Sequence, residues 1–213
     1  MTDYTTPVQV DQKLYYQAVG LVRGQYLPGK DSFSQGIFVT EDGFMAPANL
    51  LGAATSLLEK HEELLQGFHI WIVYPRTKLQ PPHLHFALRA IRQPPMGKDL
   101  EIVHNNVDQF TVRGIVTYID SKADKFVVRV YRNVKSSDAP EQTKDDQPFL
   151  LTLVGTMPKE AYGQFWELQV HRQADRLILK EAKFIAQVFK PKIETTKKRQ
   201  PKKGNKQRKK PES

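Results

Sequence analysis

The 213-residue chain carries 32 Lys and Arg against 23 Asp and Glu, a net charge of +9, and contains no cysteine. The missing thiols exclude disulfides, iron–sulfur clusters, Cys-ligated zinc and a thiol nucleophile, and they fit a reducing compartment. No apolar run nears the ~20 residues that span a bilayer, and the opening MTDYTTPVQVDQK has neither region of a secretory signal, so a cytoplasmic protein without membrane contact is expected, or a nuclear one in a nucleated cell.

In chain order, residues 1–13 are polar and read as a flexible N-terminus. Short apolar stretches then follow: YYQAVGLVRGQYL, GIFVT, and the run NLLGAATSLLEKHEELLQ, whose Leu50, Ala53, Ala54, Leu57, Leu58, Leu64 and Leu65 recur at helical spacing. Asn49 is the expected cap of that helix and Gly67 its stop. FHIWIVYP and HLHFALRAI read as two more strands, closing a first unit over 14–93. A Pro- and Gly-containing linker, 94–108, leads to a second unit, 109–189. Its strands are QFTVRGIVTYID, KFVVRVYRN, PFLLTLVGTM, FWELQVHR and RLILKEAKFIAQVF, with the polar KSSDAPEQTKDDQ as a mobile loop. Eleven Lys or Arg against Glu194 and Glu212 fill 190–213, which leaves 21 of each sign in residues 1–189. A segment of that composition buries nothing and is expected to be a disordered basic tail.

The two units align as a diverged repeat, Gly20 on Gly114 in AVGLVRGQYL and VRGIVTYI, and Gly67 on Gly163 in GFHIWIVYPRT and GQFWELQVHRQ. Alternation places Phe110, Val112, Gly114, Val116 and Tyr118 on one strand face, and Phe126, Val128 and Val130 opposite Val127, Arg129 and Tyr131. Trp166, Leu168 and Val170 likewise oppose Phe165, Glu167, Gln169 and His171. One apolar and one mixed face per strand suits small, curved antiparallel sheets.

Five short strands per unit, an early strand with a glycine at its bend and a helix after the third strand resemble the OB-fold, the small Greek-key barrel of many single-strand binders. VGLVRGQYL and VRGIVTYID carry the resemblance as first strands, and GFHIWIVYP and GQFWELQVH as the strands after the helix position. The second unit departs from it, since PKEAYGQ is too short for a full helix and implies an open or reduced barrel. The fold expected is therefore mainly β: two OB-like antiparallel barrels in tandem, one short helix and a basic tail.

Catalysis finds no support. There is no GxxxxGK[ST], GxGxxG, GxSxG or HExxH motif, and the adjacent carboxylates Glu62–Glu63 and Asp145–Asp146 do not face each other. His83 and His85 share a strand face with His69 as a third candidate ligand, but no acid lies nearby and they read as polar surface. Neither a metal nor a cofactor is expected, and the protein is expected not to be an enzyme.

Single-stranded nucleic acid needs aromatic rings for base stacking with Arg or Lys beside them for phosphate. Arg129, Tyr131, Arg113 and Phe165, extended by His171, are the candidates in the second unit; Arg23, Tyr26, Phe38, Tyr74 and Arg76 are those in the first. The other reading of Tyr131 and Phe165 is a second core or the contact between two barrels. In the tail, Lys197, Lys198, Arg199, Lys202, Lys203, Lys206, Arg208, Lys209 and Lys210 would release counterions on meeting phosphate and bind without regard to sequence. The expected function is non-catalytic binding of single-stranded RNA, favoured over DNA. The alternative is an assembly factor with protein partners in a ribonucleoprotein or replication complex, its tail a tether or a solubility device.

Overall fold

A computed structural model describes residues 6–7, 14–92, 105–133 and 148–190. The basic tail beyond Lys190, the Lys135–Gln147 loop and most of the linker lie outside the described residues. The first unit contains β2 (Gln17–Pro28), β3 (Gln35–Thr40), β4 (Met45–Leu50), α1 (Gly52–Lys60), β5 (His69–Thr77) and β6 (Leu84–Ile91). The second contains β7 (Gln109–Asp120), β8 (Lys125–Val130), β9 (Phe149–Val154), β10 (Gln164–Gln173) and β11 (Arg176–Gln187). A short ladder joins β1 (Thr6–Pro7) to β12 (Phe189–Lys190).

Each unit closes in the same way. In the first, β2 pairs with β3, β3 with β4, β4 runs parallel to β6, and β5 bridges β6 back to β2. In the second the order is β7, β8, β9, β11, β10 and back to β7, with β9 parallel to β11 through the single pair Ile178↔Val154. Five strands with one parallel closure and an antiparallel remainder make an OB barrel twice over. The strand β4 is absent from a reading by propensity because MAPANL is poor in β-branched residues; Pro47 stands just before its parallel pairing with β6 begins at Ala48.

The helix is shorter than its periodicity implies. Asn49 belongs to β4, Leu51 occupies the cap position with no side-chain cap bond, and beyond Lys60 the Leu64 and Leu65 segment is a 3-10 turn, Glu62–Leu65. Ala54 and Leu58 close the base of the first barrel beneath Trp71, Phe38 and Phe86. In the second barrel a 3-10 turn, Lys159–Ala161, replaces the helix and buries Ala161 beside Met157.

The repeat is visible in partner changes along the first strands. β2 leaves β5 for β3 at Gly24, and β7 leaves β10 for β8 at Ile115, next to Gly114. The two switch points, Gly24 and Ile115, lie 91 residues apart, close to the 94 that separate Gly20 from Gly114. The second landmark keeps its role: Gly67 and Gly163 both precede their strands with positive φ, 88° and 76°.

The barrels join through β2 and β7, which pair antiparallel from Gln17↔Arg113 to Gly20↔Phe110. The same strand of each barrel meets its counterpart, so the two are arranged about a local two-fold at this ladder. A Cβ on Gly20 would lie 2.4 Å from the Phe110 ring and 2.5 Å from the Gln109 carbonyl oxygen. Phe110 in turn stacks on Phe86, 6.5 Å between centroids, and links the two cores. Gly20→Ala is expected to lower stability by about 1–3 kcal/mol through overpacking, read as a lower urea midpoint at unchanged slope.

An ion cluster with a buried guanidinium between two more exposed carboxylates completes the junction. Arg172, 4 % exposed on β10, donates from Nε and Nη2 to Asp108 at 2.6 and 3.0 Å. Its Nη1 and Nη2 donate to Asp42 in the β3–β4 turn at 3.1 and 3.0 Å, and Nη1 also to the Ala174 carbonyl. Opposite burial, which alone would raise it, the hydrogen bonds from Arg172 and Thr40 hold Asp42 below the ordinary carboxylate range. At the related contact the end of β5 meets β9, where Thr77 accepts the Thr152 N–H at 2.8 Å. One side of the junction is thus locked by charge, and the other is left open.

Candidate nucleic-acid interface

On β5 the inward residues are Trp71, Val73 and Pro75, so Tyr74 and Arg76 share the outer face. On β6 Leu84, Phe86 and Leu88 turn inward and bring Ala87 and Arg89 out beside them. Across the open side of the junction the second barrel supplies the end of β8, with Tyr131, Arg132 and Asn133, and the first residue of β9, Phe149. Tyr15 to Val19 run between the two walls. The result is a groove of about 570 Å³. Its floor is fixed by Asn133, whose side-chain oxygen accepts the Tyr16 N–H at 2.9 Å while its amide donates to the Tyr16 carbonyl at 2.6 Å.

Aromatic rings and guanidiniums alternate along this groove. Arg76 lies over the Phe149 ring at 3.6 Å, and Arg89 stands 6.0 Å from the Tyr74 centroid. Tyr15 is 54 % exposed. The described lining residues include three arginines and no carboxylate. Burial, and then the charge of Arg132, push Arg76 down to about 10 against the opposing pull of Tyr74. Arg76 is therefore charged at neutral pH at a free-energy cost, which an anion entering the groove would relieve. Behind the rim, Tyr16 packs edge-on against Tyr131 and Phe165, each at 5.0 Å, and burial together with Tyr131 pushes its phenol up to about 12, Arg129 pulling the other way. It stays neutral and serves as a wall.

Comparison with known families agrees with the topology. Residues 18–99 match the PatR RNA-binding protein, N-terminal OB-fold domain, and residues 112–186 match the cyanobacterial OB-fold-like RNA-binding domain, C-terminal. The chain belongs to the OB-fold nucleic-acid-binding proteins. No curated protein and no solved structure matches it.

Within this OB-fold protein the residues singled out from sequence separate into three groups. Tyr74, Arg76 and Tyr131 come together in the groove. Arg129 stands next to it, close enough to lower the Tyr16 phenol, and Arg113 is half-buried beside Glu167 at 3.4 Å. The remainder lie elsewhere. Phe165 is fully buried in a small second core with Ile115 and Val188, so its ring has no face for a base, and Tyr131 borders the same core; for Phe165 the structure gives the second-core alternative. Tyr26 and Phe38 are in the first barrel's core, where Tyr26 donates its hydroxyl to the Phe33 carbonyl and burial raises it to about 12. Arg23 is ion-paired with Glu41 at 2.9 Å outside the groove, and His171 has a buried Nδ1 without a partner. The tail residues Lys197 to Lys210 lie outside the described residues.

Sequence reasoning missed Tyr15, Arg89, Arg132 and Phe149. Arg89 was within reach, because the alternation of LHFALRAI places it on the face of Ala87; the other three depend on how one barrel docks on the other. The outer face of β3 and β4, by contrast, carries Ile37, Val39, Met45 and Pro47, without an aromatic ring or a cation. The histidines do not converge either. His69 pairs with Gly24 at one end of β5 and His85 with Arg76 near the other, and the described residues hold no group of three metal-binding side chains. No helix among them is long and apolar enough to cross a membrane.

Proposed function

We propose that the protein binds single-stranded RNA in the groove between its barrels, without catalysing a reaction. The observation that carries this reading is the groove's lining, in which the described residues place three guanidiniums and no carboxylate, interleaved with Tyr15, Tyr74, Tyr131 and Phe149. Stacking on such rings is worth about 1–3 kcal/mol per base and tolerates any sequence, while the arginines meet phosphates. The choice of RNA over DNA rests on the two family descriptions, both of which name RNA. The basic segment 190–213 adds a sequence-indifferent attraction and, being tethered, raises the effective concentration of the strand at the groove.

A salt titration of RNA affinity separates the two contributions. A chain ending at Lys190 should keep binding at low salt with a shallower dependence, its log–log slope reduced by about 3.5 if the segment meets ~5 phosphates at ~0.7 each. Loss of all affinity in the shortened chain would leave the barrels without a role in RNA binding. The second reading, an assembly factor, is favoured by one observation. The β3–β4 face is aliphatic, with Met45 56 % and neighbouring Leu27 40 % exposed, and suits a protein partner better than a nucleic acid.

A further inference from the structure

A second cavity, of about 230 Å³, lies where the loop between β5 and β6 meets the outer face of β7, β8 and β9. It shares no lining residue with the groove. Its first wall is a loop closed on itself: the Lys78 N–H donates to the His83 carbonyl at 2.8 Å, and the His83 Nδ1–H donates to the Lys78 carbonyl at 3.1 Å. That closure holds Leu79 out at 93 % exposure. The facing wall depends on an irregularity in β7 between Val116 and Tyr118, which turns Tyr118 outward, 51 % exposed, where the strand's alternation would have buried it.

The cavity's lining carries three cations and two carboxylates. Lys78, Lys125 and Arg176 line it. Of its two acids, Asp120 is occupied with the turn that follows, accepting the Lys122 and Ala123 N–H groups at 3.0 and 3.2 Å, and Asp175 stands 3.8 Å from Arg176. An outward aromatic ring, an exposed aliphatic side chain and several cations around a space this small match a base with its phosphate and little more.

We infer that this cavity binds a single nucleotide, its base against Tyr118 and Leu79 and its phosphate beside Lys78 and Lys125. Neither barrel makes the site alone, since the loop comes from the first and the ring from the second. The nucleotide can belong to an RNA strand or be free in solution; the recognised chemistry is the same. The inference stands apart from the groove reading and does not need it.

Titration of the full chain with each nucleoside monophosphate, followed on the His83 imidazole and Tyr118 ring signals by NMR, tests it. Saturable shifts of both signals are expected at millimolar ligand, with affinity weakened about tenfold or more in Tyr118→Ala and again in Lys125→Gln. A short RNA oligomer that displaces the mononucleotide identifies the strand as the source; saturation that the oligomer leaves untouched identifies the free nucleotide. Absence of any shift of His83 and Tyr118 with either ligand overturns the inference, whatever groove substitutions do to RNA binding.

Discussion

Arg89→Glu combined with Arg132→Glu is expected to weaken binding of single-stranded RNA by about 100-fold or more at physiological salt. The size follows from the groove. Each arginine that meets a phosphate contributes counterion release, and reversing its charge adds repulsion, so two positions at roughly 1.4 kcal/mol or more each give two decades. Arg76 carries the same sign but packs on Phe149 and is half-buried, so its removal would mix binding with packing. Arg23→Glu is the matched control, because Arg23 is paired with Glu41 outside the groove and its reversal should cost less than about threefold. Fluorescence anisotropy with a labelled oligomer, alongside thermal melting, distinguishes lost binding from lost fold.

The second large effect concerns the junction that shapes the groove. Arg172→Met is expected to destabilise the protein by about 1–3 kcal/mol, because it removes the charged hydrogen bonds to Asp108 and Asp42, which stay partly solvated. Denaturant unfolding measures this directly. The pH dependence has a definite sign. The folded-state pKa of Asp42 lies below its ordinary value, so its contribution is present above the ordinary carboxylate range and is lost as pH falls through the lowered value. Wild-type stability should therefore drop in acid below about pH 4, and the Arg172→Met variant should lose part of that dependence. An equal acid slope in both proteins would remove the cluster as its source.

Much of the fold was legible from residue order, because barrel strands with one buried face print a period of two. Gln109–Asp120 is the predicted strand to the residue, and Phe126, Val128 and Val130 turn inward as their alternation requires. Where that period fails, the cause is local. The irregularity after Val116 sends Tyr118 out of the core, and the helical run from Leu50 breaks at Lys60 because the chain must turn toward β5. The site was less legible. Parity alone brings Tyr74 and Arg76 together, but it cannot show that Phe165 faces Tyr16, or that Arg132 stands across from Arg76. Those relations arise from the β2–β7 ladder and the Arg172 cluster, contacts between residues roughly 60 to 130 apart in sequence that no local pattern records.

The claim on which the rest depends is that the open side of this junction, and not the β3–β4 face, is the seat of RNA. Photocrosslinking of 4-thiouridine-labelled single-stranded RNA to the chain ending at Lys190, with adducts mapped by mass spectrometry, tests it most directly. Adducts on Tyr15, Tyr74 or Tyr131 are the predicted result. Adducts confined to Met45 and its neighbours on β3 and β4, or none above background, would contradict it.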